Sequence, residues 1–301
     1  MKLLIIGGSG ALSRRVAELA LQAGHAVWTL TRGVHPLPAG VCALTADRED
    51  DDSVLAALEA AGVAFDACID CTGRTPHTAR QDVAIVSRYT SRFVVVSTDS
   101  VYDPYKKTVP QDESNAHYLT DGGYGATKRL MEAVFEQSGV NYTVFRPGHI
   151  FGEGFQLGCY PEHTRQPELL DHIRAGKPLR LVGGGAFLIH PIYVDDLALA
   201  LLDCIGNPAA FRQTFCIGGV DVVTNADYYR LIGRLIGCPV TVEEVPLAGY
   251  LEAHPHYSGH LCHRAYDLTK LRTAGVRMPA ITLEEGLRRQ IAWLAKTLDK
   301  A

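Results

Sequence analysis

The chain opens with an apolar segment, then a glycine cluster, then a helical pattern. Residues 2–6 are Lys-Leu-Leu-Ile-Ile, residues 7–10 are Gly-Gly-Ser-Gly, and apolar side chains then recur at helical spacing through 11–23. A strand that passes through glycines into a helix lets the backbone approach a phosphate group, and the helix N-terminus presents free N–H groups and a positive dipole end. This opening therefore predicts the first strand, turn and helix of a dinucleotide-binding sheet.

Small residues in this turn follow the spacing of the dinucleotide motif, with the third glycine replaced. They are Gly7, Gly10 and Ser13. The third position allows the helix to pack closely on the strand, and serine is small enough to keep that role. The alternative is an ordinary glycine turn, but its place after the first strand favours a cofactor site. The residues that we expect to contact the cofactor here are Gly7, Ser9, Gly10, Ala11 and Leu12.

Strand and helix patterns alternate along the first half of the chain. Such alternation is typical of a parallel sheet that is covered by helices on both faces. The predicted strands are 2–6, 26–31, 41–45, 66–70, 92–97 and 141–146, and the predicted helices are 11–23, 51–61, 77–89 and 122–138.

Beyond residue 150 the alternation loosens. A helix is predicted over 165–175, short strands over 179–182 and 239–245, and a terminal helix over 282–298. The sequence thus predicts an α/β protein, a Rossmann-type doubly wound parallel sheet with a smaller C-terminal α/β substrate domain. We expect 1–150 and about 187–236 to form the NADP-binding domain, and about 151–186 and 237–301 to form the substrate-binding domain.

Composition excludes several classes of protein. The formal net charge of −4 argues against a nucleic-acid partner, because such proteins usually carry a basic excess. No apolar run approaches the ~18 residues of a membrane span, and the apolar start is interrupted at Gly7 before a signal peptide can form. The eight cysteines are scattered through a long chain, which indicates reduced thiols and a cytoplasmic location.

The end of the second strand indicates which dinucleotide is bound. NAD-binding proteins usually carry an acidic residue there, whereas this chain has Thr31 and Arg32. Arginine suits a 2′-phosphate by its charge and its forked donors, so we expect NADP(H) rather than NAD. A solvated surface arginine is the alternative. Asp47 and Arg48 follow the third strand, and we place both in the expected cofactor site. Asp47 either contacts the adenine or caps the helix that begins near residue 50.

A hydroxyl, a phenol and an ammonium follow the fifth strand. Thr98 ends that strand, and Tyr124 comes twenty-six residues later, with Lys128 one helical turn beyond it on the same face. A free tyrosine has a pKa of ~10, and a nearby ammonium would lower it. Tyr124 is then expected to exchange a proton with a substrate oxygen, Thr98 to hold that oxygen, and Lys128 to contact the nicotinamide ribose as well.

With these motifs in this order, the chain resembles the extended short-chain dehydrogenases/reductases, the NAD-dependent epimerase/dehydratase group. The similar segments span nearly the whole chain: "LLIIGGSGALS", "CIDCTG", "VVVSTDSVYD", "YGATKRLME", "FRPGHIFGEG" and "IYVDDLALAL". The resemblance implies that Thr98, Tyr124 and Lys128 are catalytic, with Tyr124 as the acid/base. It also implies a homodimer paired through the Tyr124 helix, and further cofactor contacts at Cys71, Thr72, Gly73, Pro147, His149 and Ile150.

Departures from the family pattern narrow the chemistry. Sugar-nucleotide dehydratases have a glutamate where this chain has Ser100, which argues against 4,6-dehydration. Epimerases usually have an arginine where this chain has Ile189, which puts a UDP- or GDP-sugar in doubt. The segment "FLIHPIYVDDLA" is more similar to the chloroplast stem-loop-binding-like branch. Asp195 and Asp196 within it are expected to cap the following helix.

Histidines cluster near the C-terminus, and "HPHYSGHLCHRAYD" places four of them within ten residues. No second Cys/His pair completes a zinc site, so we predict no metal and a substrate-facing loop instead. Arg264, Tyr257 and His190 are candidates to contact substrate.

Three functions remain open at this level. The first is an NADP(H)-dependent oxidoreductase for a small carbonyl or alcohol. The second is a nucleotide-sugar epimerase that retains its cofactor. The third is a non-catalytic protein that binds a cofactor or RNA.

Overall fold

A computed structural model of the chain describes residues 1–298. Its strands are β1 Lys2–Ile6, β2 Ala26–Thr31, β3 Cys42–Thr45, β4 Ala67–Asp70, β5 Arg92–Val96, β6 Asn141–Pro147, β7 Ile150–Phe151, β8 Leu179–Val182, β9 Leu188–Ile189, β10 Ile192–Tyr193, β11 Gln213–Ile217, β12 Val223–Thr224 and β13 Val242–Val245. Its α-helices are α1 Ala11–Gln22, α2 Asp51–Ala61, α3 Pro76–Ala84, α4 Tyr124–Gln137, α5 Leu169–Arg174, α6 Val194–Asp203, α7 Asn225–Leu235, α8 Leu247–Ala253, α9 Thr269–Thr273 and α10 Leu283–Leu298.

Seven of these strands form one parallel sheet. Their order is β11-β6-β5-β4-β1-β2-β3, so the strand order reverses between β1 and β4. The predicted fold class is confirmed, and each of the six strands predicted before residue 150 lies in this sheet. Ligands of such folds bind where the order reverses, beyond the carboxyl ends of the strands. The turns after β1 and β4 therefore flank the expected binding crevice.

The sheet is buried on both faces because its strands carry apolar side chains on both. Leu3 and Ile5 of β1 belong to the core that α1 and α6 cover. Leu4 and Ile6, which alternate with them, belong to the core under α2, α3 and α4. This arrangement explains why β1 is an uninterrupted apolar run.

The later part of the chain adds three two-stranded sheets: β8 with β13, β9 with β12, and β7 with β10. Their apolar residues, together with α7 and α10, continue the core on the α1 face of the main sheet. The C-terminal elements are thus packed directly onto the sheet that carries the glycine turn. Within residues 1–298, none of the helices combines the length and the hydropathy that crossing a membrane requires.

Several predicted bounds were wrong. The helix expected over 165–175 is reduced to α5, because the backbone turns through positive φ at Glu162 and Arg165 before Pro167. The strand expected over 239–245 is shortened to β13. The helix expected over 77–89 ends at Ala84, and a short 3-10 turn follows it.

The expected cap of α6 was also wrong. The helix begins at Val194 without a side-chain cap. Asp195 instead binds the guanidinium of Arg15 on α1, and Asp196 accepts the backbone N–H groups of Ala280 and Ile281. Both aspartates therefore connect α6 to distant segments.

Candidate functional site

The glycine turn has the tight geometry that its sequence predicts. Gly7 has φ of 112°, which is the left-handed region that favours glycine. A Cβ atom there would lie 2.9 Å from Cβ of Ser13 and 3.0 Å from Cγ2 of Thr72. Ser13 is buried, and its hydroxyl donates to the Gly10 carbonyl at 3.2 Å. Serine at the third position thus packs α1 against β1 and also fastens the turn.

The N-terminus of α1 faces the turn without a side-chain partner. Gly10 is the N-cap and has no side chain to accept the first N–H groups, and the first turn carries no acidic residue. These N–H groups and the positive dipole end are therefore left for an anion, as the pyrophosphate of a dinucleotide would require.

A cleft of about 640 Å³ opens over this turn. Its lining includes seven of the residues predicted from the sequence: Gly7, Ser9, Arg32, Asp47, Arg48, Thr72 and Tyr124. It also includes residues that sequence analysis missed, among them Glu49, Arg74, Thr75, Thr78 and Thr127. The cleft joins the glycine turn, the ends of β2 and β3, and the start of α4, so a single extended molecule can contact all of them.

Arg48 contributes to this cleft in a different way from that predicted. Its guanidinium is 3.0 Å from Asp82 and 3.6 Å from Asp70, two carboxylates that are almost fully buried. It also donates to the carbonyl of Thr78 at 2.9 Å. Arg48 therefore holds α3 beneath the cleft, and its charge is already matched by protein groups.

Asp70 shapes the turn after β4. One carboxylate oxygen accepts the backbone N–H groups of Thr72 at 2.7 Å and Gly73 at 2.8 Å. Burial by itself would raise the pKa of Asp70, but the charge of Arg48, a hydrogen bond with Asp82 and the N–H of Thr72 outweigh it, so the pKa is lowered. The ionised carboxylate thereby fixes the backbone of Cys71, Thr72 and Gly73, the segment that the resemblance places against the cofactor.

Asp47 does not cap α2. The cap is Asp50, whose carboxylate accepts N–H groups of Asp52 and Ser53. Asp47 accepts the N–H of Glu49 and lines the cleft, which leaves the adenine contact as the remaining interpretation of this residue.

Tyr124 and Thr98 approach each other because α4 packs closely on the turn after β5. A Cβ on Gly125 would lie 1.9 Å from the carbonyl oxygen of Ser100, so only glycine permits this approach. Thr98 is nearly buried, and its hydroxyl accepts the N–H of Ser100 at 3.2 Å. Tyr124 lines the cleft, and 53% of the whole residue is exposed. Gly125 directly after the tyrosine was a signal in the sequence that we missed.

Lys128 lies beneath Tyr124 and is 4% exposed. Its ammonium donates to the carbonyl of Val96 at 2.6 Å and to that of Gly73 at 2.5 Å, so it joins the ends of β5 and β4. Burial lowers the pKa of Lys128 to about 8, although Asp70 and Glu132 partly offset this.

The electrostatics of Tyr124 differ from the prediction. Burial raises the pKa of Tyr124, and Arg74 supplies the positive charge that partly offsets it. The Thr98 hydroxyl also lowers this pKa by hydrogen bonding, whereas Asp99 raises it. Lys128 was expected to act on the phenol, but its ammonium is directed at two carbonyls. Tyr124 accordingly holds its proton at neutral pH, which is the form of a general acid.

Asp99, which follows Thr98, anchors the C-terminal segment to the end of β5. It is fully buried and accepts two hydrogen bonds from Arg264, at 2.6 and 2.7 Å, and one from Tyr266. Lys107 lies 3.4 Å away. Burial alone would raise the pKa of Asp99, but Arg264 and Lys107 hold it well below its usual range. Arg264, which sequence analysis proposed for the substrate, is thus occupied by this ion pair.

His190 also has a structural role in place of the predicted substrate contact. Its Nε2 bonds the carbonyl of Gly219 at 2.9 Å, and its Nδ1 accepts the N–H of Tyr266 at 3.2 Å. Burial lowers the pKa of His190, and the ring stacks on Tyr266. The imidazole is therefore neutral and has both nitrogens satisfied.

The segment after β6 carries the remaining predicted cofactor residues. Pro147 ends that strand, and Ile150 pairs with Ile192 in the small sheet β7–β10. The side chain of His149 lies edge-on to Tyr228 of α7, with ring centroids 5.9 Å apart. The His149 ring thus faces the C-terminal elements, whereas the cofactor cleft lies over the glycine turn.

Two further features of the described residues concern metals and redox chemistry. Within residues 1–298, no group of three or more His, Cys, Asp or Glu side chains is arranged to hold a metal ion. The eight cysteines are all free thiols.

Comparison with known proteins places this geometry in context. Residues 3–218 match the model of the NAD dependent epimerase/dehydratase family. Across 253 residues the chain is 27% identical to the chloroplast stem-loop binding protein of 41 kDa b from Arabidopsis thaliana; the match covers 79% of the chain and 64% of that protein. It is 26% identical to 2'-dehydrokanamycin reductase from Streptomyces kanamyceticus, over 82% of the chain and 70% of the enzyme.

Solved structures show the same fold. The UDP-glucose 4-epimerase of Thermotoga maritima, determined with UDP-glucose, superposes with a TM-score of 0.80. It is 20% identical in sequence, and the superposition covers 99% of this chain and 100% of the epimerase. At that identity the similarity concerns the fold, and the chemistry has to be argued from the site.

Proposed function

Because the chain belongs to the NAD-dependent epimerase/dehydratase family of the short-chain dehydrogenases/reductases, we propose that it is an NADP(H)-dependent oxidoreductase that acts on a small carbonyl or alcohol. The observation that carries this proposal is the position of Tyr124. Its phenol opens into the same cleft as the glycine turn, and the Thr98 hydroxyl acts on its pKa. We assign the cofactor to the domain of 1–150 and about 187–236, and the substrate to the remaining segments.

The residues of this site fit a nicotinamide dinucleotide. Gly7 and the uncapped N-terminus of α1 offer a cradle that a Cβ would fill and N–H groups for a pyrophosphate. The bound nicotinamide would supply hydride transfer. Lys128 already donates to two carbonyls and would hold the ribose with its third ammonium N–H. The backbone of Cys71–Gly73 and of Pro147–Ile150 would enclose the ring end. The main chain thus provides most of the binding surface.

The proton transfer is assigned to Tyr124. Since burial raises the pKa of its phenol, Tyr124 is protonated at neutral pH and donates from Oη to the carbonyl oxygen of the substrate. Thr98 Oγ1 would hold the same oxygen, and the positive charge of Arg74 would stabilise the phenolate that remains. In this protonation state Tyr124 is ready to act as the general acid when a carbonyl is reduced.

Replacing Tyr124 by Phe tests the assignment. We expect turnover of a ketone or aldehyde substrate with NADPH to fall by about 10²–10⁴, because the proton donor is lost. NADPH affinity, measured by fluorescence titration, should stay within about twofold. Unchanged turnover by the Phe variant would contradict the role of Tyr124.

The preference for NADP(H) rests on Arg32. Arg32 lines the cleft at the end of β2, where no acidic residue stands. The neighbouring Arg48 is occupied by Asp70 and Asp82, which leaves Arg32 for a 2′-phosphate at the end of β2. We expect Arg32→Gln to weaken NADPH binding about tenfold or more, since a charged contact is lost, and to leave NADH binding unchanged. Equal effects on both nucleotides would overturn the preference.

The same purified protein also distinguishes two alternative functions, an epimerase and an RNA-binding protein. An epimerase would retain its cofactor through purification and consume none. Ile189, at the place of the usual sugar-diphosphate arginine, is 2% exposed in β9 and offers no contact to such a substrate.

RNA association is favoured by the similarity to the Arabidopsis protein. A salt-sensitive RNA complex without turnover on carbonyl compounds would replace the reductase assignment.

A further inference from the structure

Three side chains beside the proposed active site have buried nitrogen atoms without a hydrogen-bond partner. The atoms are Nε2 of His149, Nη1 of Arg165 and Nδ1 of His260. Leaving a buried polar group unpaired costs about 1–3 kcal/mol, so native proteins rarely keep several together without a purpose. Each nitrogen comes from a different segment of the chain, and the three segments meet only in the folded protein.

We infer that His149, Arg165 and His260 form a subsite for an anionic group, a carboxylate or a phosphate, on the substrate. This inference rests on the proposed reductase function and specifies the class of its substrate. None of the roles described above occupies these three nitrogens.

One hydrogen bond and the mutual electrostatic influence of the side chains indicate that the three residues are neighbours in the fold. Arg165 donates through Nη2 to the carbonyl of Ile150 at 2.9 Å, which brings its guanidinium beside His149. Burial lowers the pKa of His149, and the charges of Arg165, Arg264 and His260 lower it further. Burial lowers the pKa of His260 to about 4, and the charges of Arg264 and Asp99 also act on this imidazole.

The subsite adjoins the catalytic phenol. Asp99 directly follows Thr98, and its charge acts on Tyr124, on His149 and on His260 alike. We therefore place the subsite next to the oxygen-binding pair of Thr98 and Tyr124.

The charge balance of the subsite favours an anion. The charge of Arg264 is matched by Asp99 through two short hydrogen bonds. Arg165, in contrast, forms no ion pair with a carboxylate of residues 1–298; its guanidinium lies 4.3 Å from the centroid of the Phe155 ring. His149 and His260 are neutral, so each can donate an N–H without adding charge. One unmatched cation with two neutral donors complements a single negative group.

The segment that carries Arg165 is held rigidly. Arg165 has φ of 44°, a conformation that costs a non-glycine residue about 1–3 kcal/mol and is concentrated at functional sites. Its N–H bonds the carbonyl of Gly158 at 3.3 Å, and Gln166 bonds Leu157 at 2.8 Å, which closes the loop. Tyr229 of α7 binds the backbone of Cys159 and Tyr160. The guanidinium is thereby positioned before a ligand arrives.

Arg165→Met tests the subsite directly, with Arg174→Met as the matched control because Arg174 is an exposed arginine of the nearby helix α5. The probes are inorganic phosphate and acetate, titrated by calorimetry with and without saturating NADPH. We expect one of the two anions to lose about tenfold or more in affinity in Arg165→Met and to be unaffected in Arg174→Met, since a charge-assisted contact is removed. The anion that responds identifies the group as phosphate or carboxylate.

Turnover gives the second readout. Ketones that carry a carboxylate or a phosphate are compared with their uncharged methyl-ester or hydroxyl counterparts. We expect the intact protein to prefer a charged member about tenfold or more in kcat/KM, and Arg165→Met to abolish that preference. Arg165→Lys keeps the positive charge but loses the forked donors of the guanidinium, so it should retain part of this preference. It also controls for a loss of the preference that is caused by misfolding.

Failure of this inference and failure of the proposed function give different results. If NADPH fails to bind, the reductase assignment falls, while the anion titrations without cofactor still test the subsite. If NADPH binds and ketones are reduced, but Arg165→Met changes neither anion affinity nor the charged-to-neutral ratio, the subsite is overturned.

Discussion

The two sides of the candidate active site are built in opposite ways. On the proposed cofactor side, the cleft is formed by turns that directly follow β1, β2, β3 and β4, and its lining includes Gly7 and Thr72. On the substrate side, the groups come from loops that are far apart in sequence, such as the pair Asp99–Arg264, which spans 165 residues. The cofactor side is local and rich in main chain, whereas the substrate side depends on long-range side-chain contacts.

This difference teaches where each kind of change should act. A local turn keeps its shape through φ angles and small residues, so only substitutions that block close approach should damage it. A long-range ionic contact holds two segments together, so its loss should release one side of the site while the sheet persists. The predictions below follow from this contrast.

The largest effect is expected from Arg264→Met. It leaves Asp99 buried with Lys107 and Tyr266 alone, and breaking a buried ion pair usually costs about 3–5 kcal/mol. Because the pKa of Asp99 is held low, the contribution is present at neutral pH and is lost as the pH falls below about 4. Urea unfolding at pH 7 and at lower pH measures it.

Arg288→Met is the control for that experiment. Arg288 and Glu284 form an exposed pair on α10, which should contribute no more than about 0.5 kcal/mol. Equal costs for the two variants would show that the buried pair has no special part in joining the C-terminal segment to β5.

Gly125→Ala is expected to be the next most severe. Its new Cβ would meet the Ser100 carbonyl, and such overpacking costs about 1–3 kcal/mol while moving Tyr124 away from Thr98. We expect a fall in kcat with NADPH binding largely kept. Gly139→Ala is the matched control, because a Cβ there meets no atom within 4 Å. A normal kcat in Gly125→Ala would show that close packing of α4 does not position the phenol.

Lys128→Met tests the lowered pKa of the buried lysine on the proposed cofactor side. Since burial lowers the pKa of Lys128 to about 8, the folded chain binds fewer protons than the unfolded chain between about pH 8 and 10. The intact protein should therefore gain about 1–2 kcal/mol relative to Lys128→Met as the pH rises through this window. A difference that stays flat or falls from pH 7.5 to 10 would contradict the lowered pKa.

The smallest expected effect on stability concerns the predicted homodimer. Leu130 on α4 is 59% exposed, as an interface residue of that helix would be in one isolated chain. We expect Leu130→Lys to convert a dimer to a monomer by light scattering, with a change of less than about 0.5 kcal/mol in the monomer. If light scattering shows that the intact protein is a monomer, the prediction of a homodimer is wrong.

The division between a local cofactor side and a long-range substrate side also separates the site residues that the sequence predicted from those that it did not. The glycine turn, Thr98, Tyr124 and Lys128 could be located because each stands at a fixed place relative to a strand or within one helix. Arg74 and Gly125 were missed, although both lie within a few residues of predicted positions. Arg264 and His190 were assigned to the substrate, because nothing in a linear sequence shows that Asp99 and Gly219 already satisfy them.

The amino-acid sequence by itself determined the parallel sheet, the glycine turn and the order of the proposed catalytic side chains, because periodicity and turn chemistry act over a few residues. Only the tertiary structure decided which charges are matched. It directed Lys128 to two carbonyls, raised the pKa of Tyr124 and left Arg165 without a partner carboxylate in the described part of the chain. The physical reason is that pKa values and ion pairs depend on burial and on neighbours brought together by folding, and these are set by distance in space rather than along the chain.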